Sequence, residues 1–599
     1  MSADTIQEHG STEPSTARAT TEGQDAFGAR LESTSSKGEE ALSERSRVLG
    51  GVDALEVFDA AAHKAGSETG GKGADEAGKG DAAGQNVRGP APTGVRLWLL
   101  LLAMLLVEVL VGLDNTIVAT STAAIANDFN ALTDVGWYGS AYLLTCVAFQ
   151  PLAGRAFQFF PQKWVFLLSL AIFLVGNVVA AVAQSSAVLI LGRAIQGLGY
   201  SGLFIGILAI AANTLPIRWQ AIVTSLMNLS YGTGTVLGPL AGGALTTNLS
   251  WRWCFWIGLI IGAVPLVLIV LFCNPPLIPQ TLSVRERLIR MDWGGAFLLL
   301  GSLICLLIAL QEGGITTPWS DSKIIGLLVG FVVILIAFFA LQIWLGEKSS
   351  ISMRLLLRDR SMAATSLVNW TCGAGYYYFQ AIRGDSPVDA GINLLPIIFS
   401  NMAAGIIAGW TVKHFGLFHP AMWFGTGFTA LGAGLHAYLN ETSRDGLWIG
   451  FGLLVGAGMG ALYMMPFLAS QMLLPEEDRS KGASLVCFFQ IFGATVWVSA
   501  SSALYANKFK HGIEGVSGVD VEEVLASGVD RFREVVAPEV LPAVIKVALS
   551  SLWNVFLAAA LIAAIGFVAV FAIRWVSLGS HAGEKQVRLE EKKRDEEAA

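Results

Sequence analysis

The chain has 599 residues, of which 53% are hydrophobic and only 14% charged, and its mean hydropathy is +0.58. A soluble protein of this size carries about 25% charged residues, so the composition excludes a soluble enzyme or a nucleic-acid binder and points to a polytopic, all-α membrane protein. The formal charge of −7 lies entirely in residues 1–95, which hold 9 Lys/Arg against 16 Asp/Glu; the remainder is neutral, so the acidity describes a tail and not a substrate.

Taken in order, residues 1–95 are rich in Ser, Thr, Gly, Ala and Glu. They have too few large apolar residues to bury a core and are expected to be a disordered cytoplasmic tail. Val52–Phe58 has the pattern of a transient amphipathic turn. No signal-peptide pattern opens the chain, so the apolar segment from Leu97 is expected to act as an uncleaved signal anchor.

From there, apolar runs of membrane-spanning length recur. The expected spans are 97–119, 136–156, 164–183, 187–212, 220–245, 253–273, 293–311, 323–345, 362–382, 391–412, 420–439, 446–470, 482–505 and 552–575. Fourteen spans put both termini on one side. With the N-terminus cytoplasmic, the short inner connections hold thirteen Lys/Arg, from Arg155 to Lys481. The outer ones hold four: Arg252, Lys323, Arg383 and Arg444. The positive-inside rule therefore places both termini in the cytoplasm. The sequons at Asn248 and Asn440 fall outside and are glycosylation candidates; those at Asn228 and Asn369 fall within spans.

The expected division is a tail at 1–95, a six-helix bundle at 96–273, and an amphipathic cytoplasmic linker at 274–292. Two further helices follow at 293–345. A second six-helix bundle covers 346–576 with an outer loop at 506–551, and a charged tail covers 577–599. Ser283–Arg290 in the linker is a basic amphipathic stretch that suits the inner membrane surface. An extracytoplasmic amphipathic helix is expected around Val521–Val536. The ninth span is barely long enough: Ser361–Ile382 must cross with Asn369, Gly373, Gly375, three consecutive tyrosines and Gln380.

All six cysteines fall in apolar segments and read as small buried hydrophobes rather than a disulfide framework. The seven histidines make no metal-ligand spacing, so neither metal nor cofactor is expected. Ionisable groups inside the spans are few, and each is expensive in a bilayer. They are Glu108 and Asp114 in the first span, Arg193 in the fourth and Glu312 at the outer end of the seventh. Glu108 and Asp114 are six residues apart, about 240° around a helix, and cannot point the same way. A buried, permanently charged Arg193 needs an acceptor, and Asp114, a glutamine or backbone oxygens would serve; it either ties helices together or takes part in transport.

The fifth span holds Tyr231-Gly-Thr-Gly-Thr-Val-Leu-Gly-Pro-Leu-Ala-Gly-Gly243. Glycine costs a helix about 1 kcal/mol and an interior proline about 3. Such a helix makes sense where another backbone comes close or where the helix bends.

These motifs resemble those of the fourteen-span drug:proton antiporters of the major facilitator superfamily, closest to fungal toxin and multidrug efflux members. Gly112-Leu-Asp-Asn-Thr-Ile-Val118 resembles their first-helix motif, and Arg193-xx-Gln196-Gly-x-Gly199 their fourth-helix motif. Gly234-xxx-Gly238-Pro239-xx-Gly242-Gly243 matches the fifth-helix antiporter motif. Trp251–Trp256 and Met291-Asp-Trp-Gly294 resemble the segments that follow. The resemblance covers about Leu97 to Val576. It implies two six-helix bundles plus two linker helices, rocking to alternate access with the fifth-helix motif at their contact. It also implies a proton relay at Arg193 with Asp114 as its acidic partner.

Two departures stand out. The loop after the second helix has Gln158 where the family has an acid, and the ninth span is shorter than usual before Tyr378-Phe-Gln380. Glu108 also replaces a usually apolar residue and is a candidate for a second titrating group or a substrate contact. The expected function is a proton-coupled antiporter that exports amphipathic small molecules, a secondary metabolite, toxin or drug. Its expected partners are lipid, protons and the substrate. It is expected to be a monomer in the plasma membrane, or alternatively the vacuolar membrane. The rival readings are a siderophore or other small-molecule transporter of the same fold, and a transport-dead membrane sensor or scaffold.

Overall fold

A computed structural model describes residues 95–576 apart from 130, 132–133, 216, 274–282, 371–392, 394, 441–442, 476–477, 522 and 525–531. The expectations for the N-terminal tail, Val52–Phe58, the start of the linker, the tyrosine-rich half of the ninth span and the C-terminal tail lie outside the described residues.

The first bundle holds α1 (Val95–Phe129), α2 (Val135–Phe159), α3 (Gln162–Ala181), α4 (Ser186–Thr214), α5 (Ile217–Asn248) and α6 (Trp253–Phe272). A short α7 (Val284–Ile289) leads to α8 (Trp293–Glu312) and α9 (Ser322–Leu345). After a second short helix, α10 (Met353–Arg358), the second bundle holds α11 (Arg360–Trp370), α12 (Leu395–Phe415), α13 (His419–His436), α14 (Asp445–Leu462), α15 (Met465–Leu473) and α16 (Arg479–Ile513). A one-turn α17 (Phe532–Val535) precedes the closing α18 (Leu541–Val570). Ten helical stretches are long and apolar enough to cross a membrane among the described residues. The end that holds the start of α1 is called basal below, and the opposite end apical.

Several helices outrun their hydropathy. The apolar run of the first span stops near residue 119, yet α1 continues to Phe129. Its polar turn survives because Thr120 and Ser121 donate to the Ile117 carbonyl and Thr122 to that of Val118, so each hydroxyl is satisfied on its own helix. α16 likewise runs to Ile513 and α18 begins at Leu541, which narrows the loop expected at 506–551. Val524, Phe532 and Val536 pack there against Phe509, Ile513 and Val544 as an apical core of the second bundle. The twelfth span is two helices, α14 and α15, because Pro466 cannot donate to the ladder.

Asp292 explains the start of α8. Its carboxylate caps the Gly295 amide at 2.8 Å and accepts from Gln342 Nε2 at 2.5 Å and Ser350 Oγ at 2.7 Å. One buried carboxylate thus joins α8, α9 and the chain that follows. In the linker, Ser283 and Glu286 form a capping box at α7. The Ser283 amide and hydroxyl hold the Glu286 carboxyl below the usual carboxylate range.

α5 packs on α12 and α2 on α16, so these four helices join the bundles. A single hydrophobic core includes Leu110, Cys146, Tyr200 and Met227 of the first bundle with Phe467, Leu485 and Phe488 of the second. Gly154, near the basal end of α2, lies against Ser484 near the basal end of α16. Toward the apical end, the cores are separate. Leu113, Ile117, Tyr138 and Phe255 form one in the first bundle, and Tyr505, Phe509 and Val544 form another in the second. Among the described residues the core shared by the two bundles is therefore basal, and their apical cores are separate.

The five cysteines among the described residues are free, in keeping with their reading as small hydrophobes. His419 bonds to the Arg574 carbonyl at 2.7 Å, while the His414 ring lies tilted against Trp410, with centroids 4.5 Å apart.

The candidate proton site and the fifth-helix motif

Arg193 lies on α4 with 2% of its surface exposed, and Asp114 on α1 with 3%. The guanidinium Nη1 donates to Asp114 Oδ2 at 2.8 Å and to Gln196 Oε1 at 2.6 Å. Its Nε donates to the Tyr138 carbonyl at 2.9 Å. Gln196 Nε2 closes the ring by donating to Asp114 Oδ1 at 3.2 Å. The Tyr142 ring lies 4.6 Å from the guanidinium carbon, a cation–π contact strengthened by desolvation.

Backbone proximity positions these groups. A Cβ on Gly197 would meet the Tyr142 carbonyl at 2.1 Å, so only glycine lets α4 come this close to α2. Thr145 Oγ1 donates to the Ala194 carbonyl at 2.8 Å across the same contact. The fourth-helix motif thus reads as two charge-handling side chains on a helix face, with glycines that bring its backbone against α2 and α3.

A separate group of hydrogen-bonded side chains lies on the apical side of this site, which it meets only through the Tyr138 backbone carbonyl. Tyr138 Oη lies 3.1 Å from Ser186 Oγ, and Ser186 donates to Asp134 Oδ2 at 2.5 Å. Neither Asp134 nor Ser186 was readable as a site residue, since both sit in ordinary cap positions. Nearer the apical surface, Asp128 accepts from Trp251 Nε1 at 3.0 Å and Arg252 Nη1 at 3.2 Å, which accounts for the Trp-Arg pair after α5.

Glu108 is buried at 3% exposure but does not join the pair. It makes no hydrogen bond or ion pair with the described residues. It lies one helical turn before Gly112, the residue that faces the Tyr231 carbonyl on α5.

The glycines of α5 face an unexpected partner. A Cβ on Gly234 would meet the Val109 carbonyl at 2.2 Å, one on Gly238 the Thr116 hydroxyl at 1.9 Å, and one on Gly242 the Thr120 hydroxyl at 2.3 Å. All three neighbours belong to α1, in the same bundle. The resemblance implied a contact between bundles at this motif; in this structure Gly234, Gly238 and Gly242 form a seam inside the first bundle. Gly232 is the one that faces the other bundle, at Met402 of α12. There Asn228 Nδ2 also donates to Asn401 Oδ1 at 3.1 Å. Pro239 and Gly243 lie partly exposed beside the seam.

At the basal surface, Arg155 donates to the Lys348 carbonyl at 2.5 Å and lies over the Phe159 ring. Asp478 holds Arg354 at 2.7 Å and Lys481 at 3.1 Å. The basal charge cluster therefore sits on the second bundle, while the last turn of α2, where Gln158 lies, has no acid to build one. Asn248 is exposed at the apical end of α5, and Asn440 is exposed after α13.

A buried ion pair thus joins α1 and α4 inside the first of two helical bundles. Residues 104–498 match the model of the Major Facilitator Superfamily, and the chain belongs to that superfamily. It is 39% identical over 512 residues to the MFS-type transporter ltbE of Aspergillus luteorubrus, covering 83% of this chain and 93% of that one. It is 37% identical over 500 residues to the MFS-type efflux pump MFS1 of Arthroderma benhamiae, covering 81% and 92%. Among solved structures it is similar in fold to the proton:xylose symporter XylE bound to 6-bromo-6-deoxy-D-glucose. That match has a TM-score of 0.50 and 15% identity, over 78% of this chain and 94% of that one.

Proposed function

We propose that the chain is a proton-coupled antiporter that exports amphipathic small molecules, working as a monomer in the plasma membrane with both termini cytoplasmic. The observation that carries this is the buried Asp114–Arg193–Gln196 ring. On the charge asymmetry of the loops, basal is cytoplasmic and apical is outside. A shared core on the basal side then corresponds to an outward-facing state. The names of the relatives, transporters and efflux pumps among them, support the direction of transport.

The chemistry follows from burial. Asp114 and Arg193 are paired, and in a low-dielectric site each charge compensates the other. A proton arriving from outside neutralises the carboxylate. Arg193 then keeps only Gln196, the Tyr138 carbonyl and the Tyr142 ring. The changed balance favours apical closure after cargo has left. Each inward proton contributes about 2.3 kcal/mol per 100 mV to export. Glu108 is a second candidate for titration, and Gln196 is the group that orients Asp114. Asn248 and Asn440 are the outward-facing glycosylation candidates.

The test is proteoliposome transport under an imposed pH gradient. Arg193→Ala is expected to insert and fold yet show no gradient-driven efflux. Full efflux by that variant would remove the relay role.

A further inference from the structure

Four tyrosines converge where the bundles meet, and the proton site does not use all of them. Tyr142 of α2 stacks on Tyr200 of α4, with ring centroids 5.6 Å apart and planes at 21°. Tyr231 of α5 stacks on Tyr463 at the α14–α15 junction, at 5.9 Å and 21°. Tyr142, Tyr231 and Tyr463 all lie within electrostatic range of Tyr200. Tyr142 and Tyr200 are buried, whereas Tyr231 and Tyr463 are partly open.

The two stacks differ in one respect. Tyr142–Tyr200 lies within the first bundle and stays together when the bundles rock. Tyr231–Tyr463 crosses between bundles and must part when they separate basally. Parting leaves two nearly parallel ring faces. A planar ring enters once they are roughly 7 Å apart, twice a carbon–carbon contact. Such a guest restores the ring contacts on both sides.

The Tyr142 hydroxyl is buried and has no hydrogen-bond partner among the described residues. Buried hydroxyls are rarely left so, because desolvation without a bond is costly. A ligand oxygen would satisfy it. The charged side chains in electrostatic range of Tyr142 are Asp114 and Arg193. With Asp114 neutralised, the uncompensated charge beside the cluster is positive. It attracts an oxygen acceptor and repels a cation.

We propose that Tyr142, Tyr200, Tyr231 and Tyr463 form the cargo surface, and that it takes neutral, planar aromatic molecules bearing carbonyl or hydroxyl oxygens in preference to lipophilic cations. This rests on the antiporter reading and names the cargo class of that transporter. Tyr231 and Tyr463 clasp the ring system, and Tyr142 donates to an oxygen. Because Tyr142 also holds the Arg193 guanidinium, the cargo and the proton act on one residue.

The test is equilibrium dialysis of the full chain in lipid nanodiscs against three probes. They are 1,8-dihydroxyanthraquinone, 9-methylanthracene (a tricyclic without oxygen) and ethidium (a planar cation). The dihydroxyanthraquinone is expected to bind most tightly. Tyr142→Phe is expected to weaken that probe by about three- to tenfold, the worth of one hydrogen bond, and to spare 9-methylanthracene. Tyr463→Ala is expected to weaken both tricyclics, and Tyr463→Phe to recover the loss. Wild-type affinity for dihydroxyanthraquinone in Tyr142→Phe, or equal binding of ethidium, would overturn the proposal. If Tyr463→Ala does not fold, the Tyr142→Phe arm decides alone. Transport separates the two readings. The binding pattern without gradient-driven movement leaves the cargo site standing and removes antiport. Gradient-driven export of dihydroxyanthraquinone with an unchanged KM in Tyr142→Phe removes the cargo site and leaves antiport.

Discussion

The Thr116 hydroxyl of α1 lies 3.2 Å from the Thr235 carbonyl of α5, the acceptor that Pro239 deprives of its intrahelical donor. A side chain at position 238 would occupy the place of that hydroxyl, since a Cβ there would stand 1.9 Å from Thr116 Oγ1. The Gly-Pro pair is therefore one device: the proline frees an oxygen, and the glycine makes room for a neighbouring helix to reach it. The same hydroxyl lies 3.1 Å from the Gly112 carbonyl and 3.4 Å from that of Leu113, so one proton is shared among three acceptors.

Thr116→Val leaves the Thr235 carbonyl unpaired, and a buried group in that condition costs about 1–3 kcal/mol. Pro239→Ala restores the missing amide, so the double variant should recover most of the loss. Thermal melting of the four proteins in detergent forms a double-mutant cycle. Additive losses would break the link between the two residues.

Asp114→Asn removes the partner of a buried arginine. Breaking such a pair costs about 3–5 kcal/mol, so the melting temperature should fall and gradient-driven efflux should stop. Asp114→Asn combined with Arg193→Gln removes both charges. The melting temperature should rise again while efflux stays absent. Recovery of transport in the double variant would mean that the pair holds helices and carries no proton.

Two neighbouring glycines should behave differently. Gly234→Ala drives a methyl into the Val109 carbonyl of α1, 2.2 Å from the ideal Cβ, and should cost about 1–3 kcal/mol as overpacking. Gly232→Ala meets the Met402 side chain of the opposite bundle at 2.9 Å, which can swing away. Its melting temperature should stay near wild type, with the effect appearing in the rate of transport. Equal melting losses in the two variants would contradict the assignment of the seam to α1.

Asp292→Ala should unfasten α8 from α9 while leaving the bundles themselves intact. The substitution removes one cap and two side-chain bonds, and leaves Gln342 with a buried amide unpaired. Proteolysis at the chain after α9 should speed up severalfold, and Asp292→Asn should reverse part of the change.

The partnership of Asp114 and Arg193 was legible because charges in spans are few and an arginine must find an acceptor. The span pattern was legible for the same economy: a bilayer leaves hydropathy little freedom. The neighbour of the glycine seam was not legible. Glycines announce that a backbone approaches, and nothing in Gly234, Gly238 or Gly242 says whose. The apical extensions of α1 and α16 were hidden because their polar residues are satisfied locally or by docking, which hydropathy does not record. Tyr142 carried no signal at all, since its role arises from the α4 backbone brought close by Gly197.

The α8–α9 pair touches both bundles at different heights. Apically, Asn507 and Lys510 of α16 bond to the carbonyls of Gly313, Gly314 and Ile315, while Gln311 reaches Ser140 of α2. Basally, Arg155 of α2 bonds to the Lys348 carbonyl just after α9. When the bundles rock, these fastenings cannot all keep their spacing, and the pair must tilt. α9 presents Val329, Val333 and Ile336 outward, into the lipid of a membrane. A tilting, lipid-facing pair changes the hydrophobic length that the protein shows to its surroundings. The turnover rate should therefore depend on acyl-chain length, and bilayer thickness becomes a setting of the transport cycle.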